Sequence, residues 1–147
     1  MTWILLLLAL VAGMCAPTQF AVNATLRGVL GGPALAAAVS FFVGTIALVV
    51  AALVVRESLP QTGVVSNAPW WVWTGGLLGA FYVLASILLT PRLGAATTIG
   101  FYLAGQVAAS IAIDHFGLIR VPVHEVSIPR IIGAALIVAG VALVQRF

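Results

Sequence analysis

Residues 13–23 read Gly13-Met14-Cys15-Ala16-Pro17-Thr18-Gln19-Phe20-Ala21-Val22-Asn23, within an apolar run from Trp3 to Leu26. The run is long enough to cross a bilayer, for which about 20 apolar residues suffice. Yet it holds a proline and two carboxamides. A proline inside a helix removes one backbone hydrogen bond and crowds the carbonyl four residues back, here that of Gly13. Gly13 and Pro17 therefore predict a helix bend. Gln19 and Asn23 are four apart and share a face just beyond it. Hydrocarbon offers an amide no hydrogen bond, so these groups must meet another helix, a cavity or a solute.

Outward from this segment the chain keeps the same character. Its 147 residues are 63% hydrophobic and 6% charged, against about 25% charged in soluble domains. The expected fold is all-α, an integral membrane bundle of five transmembrane helices forming one domain over residues 1–147, with no room for a separate soluble domain. Charges and helix breakers place the spans at about 3–26, 33–55, 69–90, 94–113 and 128–145. Arg27-Gly28 closes the first. Pro33 opens the second, as proline suits a first helical turn. Pro60, Gly63, Ser66 and Asn67 mark the longest connection. Trp70-Trp71-Val72-Trp73 opens the third span as an interfacial aromatic belt, with Trp3 expected at the same face. Thr90-Pro91 closes the third span, and Asp114-His115 with Gly117 closes the fourth.

Several function classes fall away. Six arginines against three acids give a net charge of +3, too small and scattered for nucleic-acid binding or a polybasic lipid surface. The lone Cys15 excludes an intrachain disulfide and reads as a small packed residue. No Cys/His spacing suits a metal, no cofactor motif occurs, and no nucleophile stands beside a base, so an enzyme is not expected. The N-terminal run lacks a basic flank and a small-residue cleavage site, and reads as a retained first helix.

No Asp, Glu, Lys, Arg or His falls in the middle of any span. Intramembrane charges are the usual mark of proton relays and cation sites, so recognition falls to neutral groups. On the fourth span Thr98, Tyr102, Gln106, Ser110 and Asp114 recur at steps of four, a slowly spiralling polar track. Gln19, Asn23, Tyr102 and Gln106 are the candidate solute ligands; glue between helices is the plainer use of such groups. Tyr82 and Ser86 could join them. Asp114 and His115, at the border, are candidates for coupling or gating, since histidine titrates near neutral pH; a solvated helix end is the simpler alternative. His124 and Glu125 carry a weaker signal of the same kind.

Small residues supply packing faces: Ala36, Ser40 and Gly44 on the second span, Gly75 and Gly79 on the third, Gly133 and Gly140 on the fifth. The last pair is the expected subunit contact. Counting arginines by side gives Arg56, Arg120 and Arg130 against Arg27, Arg92 and Arg146. Orientation follows such bias, and here it is nil. Insertion both ways with antiparallel pairing is the sharper expectation, a single orientation set by one local signal the plainer one.

The order Gly13…Pro17…Gln19…Asn23…Leu26, Ser40-Phe41 with Gly44, Trp70 to Trp73 with Gly75 to Ala80, Pro91 to Ala96, Gly105-Gln106, Asp114 to Gly117, and Arg130 with Gly133 and Gly140 resembles a family of short five-span bacterial proteins, formerly a domain of unknown function, of the drug/metabolite transporter superfamily. The resemblance implies one inverted-repeat half of a ten-span carrier, completed by a second copy. It differs from the four-span multidrug exporters in lacking a glutamate in the first span, which disfavours cation/proton antiport. The expected function is secondary transport of a small metabolite or drug-like solute across the bacterial inner membrane by alternating access. The partners would be that solute, membrane lipid and an antiparallel copy, or a paralogue in a heterodimer. The rivals are a structural or regulatory membrane subunit and a channel-like pore.

Overall fold

The computed structural model describes residues 2–58, 60 and 62–146; the side chains of Thr62, Val64 and Arg120 lie outside the described residues, so the arginine count is untested at Arg120. The elements are α1 (Thr2–Leu30), α2 (Pro33–Val54), the short α3 (Thr62–Ser66), a 3-10 turn (Trp70–Trp73) running into α4 (Thr74–Leu93), α5 (Ala95–Phe116), a 3-10 turn (Leu118–Arg120) and α6 (Ile128–Arg146). Among the described residues, five helical stretches are long and apolar enough to cross a membrane: α1, α2, the Trp70–Leu93 stretch, α5 and α6. The all-α, five-span architecture expected from hydropathy is therefore the one found.

The ends of three spans differ from expectation, each for a local reason. α1 does not stop at Arg27-Gly28 but runs to Leu30, where Gly31 takes φ +75° and its N–H donates to the Arg27 carbonyl at 2.9 Å. A left-handed glycine after the last turn is a common helix stop, whereas a glycine inside a helix costs only about 1 kcal/mol. α4 runs through Pro91 to Leu93, and Gly94 at φ +83° ends it. α5 continues past Ile113 to Phe116, closed by Gly117 at φ +58° with its N–H on the Ile113 carbonyl. Pro17 lies within α1, whose helical assignment is unbroken through it.

Contacts divide the chain into two units. One is Thr18–Pro91; the other is built from the chain on either side of it. In the Thr18–Pro91 unit the core joins α2 and α4 through Ala36, Ala37, Val83 and Ile87, with Leu26 of α1 and Tyr82 packed against it. Phe20 is fully buried and meets Tyr82 ring to ring at 5.5 Å and 58°. Seven residues further along α1, Arg27 reaches the Ile87 carbonyl of α4. The pairs 20–82 and 27–87 advance together, so α1 and α4 run parallel, as alternate crossings require. Gly79 of α4 faces the Phe41 ring of α2, and a Cβ there would stand in ordinary contact with it at 3.5 Å.

In the other unit α5 and α6 pack antiparallel. Gly100 sits under Val141, and a Cβ on it would come within 3.1 Å of a Val141 methyl. At the far end Asp114 of α5 pairs with Arg130 of α6 at 2.6 Å. Trp3, Trp70 and Trp73 are exposed, as belt residues should be.

Candidate functional site

Helical phase decides which α1 side chains meet which neighbour. At 100° per residue, Phe20 and Arg27 point one way, Gln19 and Leu26 roughly a quarter-turn away, and Asn23 between them. Phe20 and Arg27 meet α4. Gln19 instead lines a cleft of about 210 Å³ against α2, formed with Ser40, Phe41, Gly44, Thr45 and Leu48. Gln19 lies 17 residues from Thr2, roughly 26 Å along the helix, and 11 from Leu30, roughly 17 Å. That is well inside a hydrocarbon core of about 30 Å.

The cleft is polar at a few points only. Gln19 makes no hydrogen bond among the described residues, and its side chain is exposed. The Thr45 hydroxyl donates back to the Phe41 carbonyl at 2.8 Å and so is already satisfied. Gly44 has nothing within 4 Å of where a Cβ would stand; it keeps the floor of the cleft open rather than admitting another helix. A shallower groove continues from Thr45 and Leu48 along α2 to Val55 and Glu57. Mid-span depth and the end of α2 are thus joined along one helix.

Asn23 lies one turn beyond Gln19 on α1. It is 2% exposed, and its Nδ2 has no hydrogen-bond partner among the described residues. A buried amide hydrogen without an acceptor costs about 1–3 kcal/mol, so Asn23 is a strained element of the core. Tyr82 is stacked on Phe20, and Ser86, fully buried, donates to the Val83 carbonyl at 2.7 Å. Both belong to the core of this unit.

The track on α5 is in the other unit. Thr98 is 1% exposed, and its hydroxyl and N–H both donate to the Gly94 carbonyl. Ser110 donates to the Val107 carbonyl at 2.9 Å. These hydroxyls satisfy themselves on their own helix. Tyr102 is half-buried and Gln106 exposed, one turn apart on the same face. Asp114 and His115 pin the loop that follows. The Asp114 carbonyl accepts the His124 N–H at 2.9 Å, Arg130 donates to the His124 carbonyl at 3.2 Å, and His115 Nδ1 accepts the Val126 N–H at 3.3 Å. Gly133 and Gly140 have open space where a Cβ would stand, and Gly140 lines an apolar groove of about 420 Å³ with Ala96, Gly100 and Val141 among others.

Sequence reasoning took Ser40 and Gly44 for packing residues and missed the cleft they form with Gln19. The signal was present in their four-residue spacing, but spacing does not say whether a small face is filled. Gly100 was missed too, although it begins a Gly100, Ala104, Ala108 series.

Among the described residues the chain has five helices apolar and long enough to cross a membrane, and no metal-ligating cluster. The family model described as "Putative inner membrane exporter, YdcZ" matches residues 4–143. The chain belongs to the YdcZ family. It is 39% identical over 102 residues to "Inner membrane protein YdcZ" of Escherichia coli (strain K12), covering 69% of this chain and 68% of that one. No solved structure matches it. The five-span resemblance seen in the sequence and the YdcZ family are thus in accord, and the chain is a multi-pass inner membrane protein.

Proposed function

We propose that this YdcZ-family chain is a secondary transporter, not an enzyme, that exports a small metabolite or drug-like solute across the inner membrane by alternating access. The observation that carries this reading is Gln19: a neutral amide at mid-span, with no side-chain hydrogen bond among the described residues, lining a cleft against α2. A solute with hydrogen-bonding groups would meet Gln19 in the cleft. Tyr102 and Gln106, one turn apart on α5, are the further candidate solute ligands, and Asn23, one turn from Gln19, carries an Nδ2 with no acceptor among the described residues. Gly13 and Pro17 would let α1 flex, since Pro17 withholds a donor from the Gly13 carbonyl. Asp114 and His115 would couple or gate through the loop they hold.

A second copy would complete the carrier. Only 6% to 17% of the residues in each span's apolar window are buried within the chain, which leaves much span surface to lipid or to a partner. The balanced arginines favour an antiparallel homodimer, with Gly133 and Gly140 on the contact; an oppositely biased paralogue would serve the same role in a heterodimer. Inverted pairs around a midplane site are the common architecture of secondary carriers.

The test is solute exchange in liposomes by the purified protein, compared with Gln19→Ala, together with C-terminal topology reporters. Saturable exchange weakened in Gln19→Ala and reporters on both sides would support the proposal. Flux linear in solute concentration would point to a pore, and no flux to a structural subunit. A uniform orientation would remove the antiparallel pairing.

A further inference from the structure

The last turn of α1 carries a charge that the cleft does not use. Arg27 has five N–H donors, and its one hydrogen bond among the described residues goes to the Ile87 carbonyl at 3.4 Å. The only acid described in the Thr18–Pro91 unit is Glu57, just past the far end of α2. The 22 residues of α2 span roughly 33 Å, so no carboxylate of that unit reaches the guanidinium. The described ion pair of the chain, Asp114 with Arg130, belongs to the other unit.

Arg27 also lines a crevice of about 390 Å³ with Ala24, Gly28, Gly31 and Pro91. Its walls are bare. Gly28 and Gly31 have nothing within 4 Å of where a Cβ would stand, Ala24 offers one methyl, and Pro91 has no N–H. A bulky oxygen-rich group can therefore come close to the guanidinium. Beside Pro91 on α4, Thr90 is nine-tenths buried, and its hydroxyl has no partner among the described residues. The crevice sits where α1 gives way to the Gly31-Gly32 turn into α2, some 12 Å beyond Gln19 along the helix. From mid-span in a hydrocarbon core about 30 Å thick, that is close to the edge where acyl chains give way to head groups.

A planar guanidinium with spare donors matches the oxygens of a phosphate, and the pairing strengthens as water is excluded. We propose that the Arg27 crevice is a binding site for a phosphate group, supplied by the head group of an anionic membrane phospholipid. Arg27 holds the phosphate, Gly28 and Gly31 leave room for it, and the acyl chains lie along the exposed apolar surface of the spans. The site is separate from the Gln19 cleft and does not depend on what that cleft carries.

The experiment compares the delipidated protein in detergent with short-chain phosphatidylglycerol, short-chain phosphatidylcholine or inorganic phosphate, reading melting midpoint and lipid retained in native mass spectrometry. Phosphatidylglycerol is expected to raise the midpoint by a few degrees, as a ligand of the folded state must, and to be retained preferentially. Arg27→Gln should lose both effects. Because that change also removes a bond to α4, Gly28→Leu is the second variant: it fills the crevice, keeps Arg27 on Ile87, and should lose retention with an unchanged midpoint in the absence of lipid. Stabilisation by inorganic phosphate as well, lost in Gly28→Leu, would keep the phosphate site and make a free anion its occupant. Equal retention of the two lipids by the unaltered protein, or undiminished phosphatidylglycerol retention in Gly28→Leu, would overturn the proposal.

Discussion

Arg27 donates to the Ile87 carbonyl, and Pro91 is the reason that carbonyl is available. In an α-helix the Ile87 carbonyl would accept the N–H of residue 91; proline has none. The helix nevertheless continues to Leu93, with Nη1 of Arg27 standing 3.4 Å from the bare oxygen. A proline on one span and an arginine on another thus form one structural unit. This predicts a coupling. Arg27→Gln should destabilise the protein by about 1 kcal/mol more when residue 91 is proline than in a Pro91→Ala background, where the carbonyl regains its own donor. Denaturant titration of the four proteins in micelles measures it. Equal cost in both backgrounds would sink the coupling.

Gly117 makes the sharpest backbone demand. It holds φ +58°, and a Cβ on it would stand 2.7 Å from Cγ2 of Val123. The conformation disfavours a side chain, and the space admits one only if Val123 shifts. Gly117→Ala should cost about 1–3 kcal/mol, seen as a lower midpoint of thermal unfolding. Adding Val123→Ala should recover part of that loss, since it relieves the crowding but not the left-handed backbone. Complete recovery would show that φ is not strained.

The spans were legible because hydropathy and length are properties of a segment alone. Their ends were not, because the end of a helix is decided by what meets it. Arg27-Gly28 looked like a border, yet the arginine found a carbonyl on α4 and the glycine could remain helical. Thr90-Pro91 looked like a border for the same reason, and the same contact carried α4 past it. Gln19 was legible as an oddity: an amide in hydrocarbon is conspicuous in any sequence. Which helix it faces was not, because that depends on the phase between α1 and α2. Asn23 looked equivalent to Gln19, one turn away. A 40° difference in phase turned it into the core and left Gln19 in the cleft.

Two glycines that look alike in sequence should behave differently. Gly100 is covered by Val141, a buried β-branched residue with little rotamer freedom. Gly100→Leu should therefore push α5 from α6 and cost about 1–3 kcal/mol, with Val141→Ala recovering part of it. Gly140 has open space before it. Gly140→Leu should leave the stability of the single chain unchanged or raised, while weakening the proposed dimer. Cross-linking yield against protein concentration reads the second effect and unfolding midpoint the first. A stable dimer in Gly140→Leu would move the subunit contact elsewhere.

The loop after α5 hangs on Arg130, which pairs with Asp114 through Nη2 and with the His124 carbonyl through Nη1. The ion pair is partly solvated, with side-chain exposures of 39% and 24%, so its own worth is at most about 1 kcal/mol. Arg130→Gln removes both contacts and Asp114→Asn only the charge of one. Hydrogen exchange of residues 118–126 should therefore rise more in Arg130→Gln than in Asp114→Asn, with little change in global stability in either. The reverse order would mean that the charge on Asp114, not the arginine fork, holds the loop.

Gly44 offers the cleanest separation of cleft from fold. It lies across the cleft from Gln19, and its missing side chain touches nothing within 4 Å. Leucine at that position adds about four carbons to a space of about 210 Å³. It also replaces a glycine inside a helix, which favours the helix by up to about 1 kcal/mol. Gly44→Leu should thus fold at least as well as the original and yet lose solute exchange in liposomes. Gln19→Ala should weaken exchange at low solute concentration, but by removing a hydrogen bond rather than space, so it should raise the solute concentration needed for half-maximal exchange more than it lowers the maximum. If Gly44→Leu transports normally, the cleft between α1 and α2 is not the path, and Gln19 answers only to its neighbours in the fold.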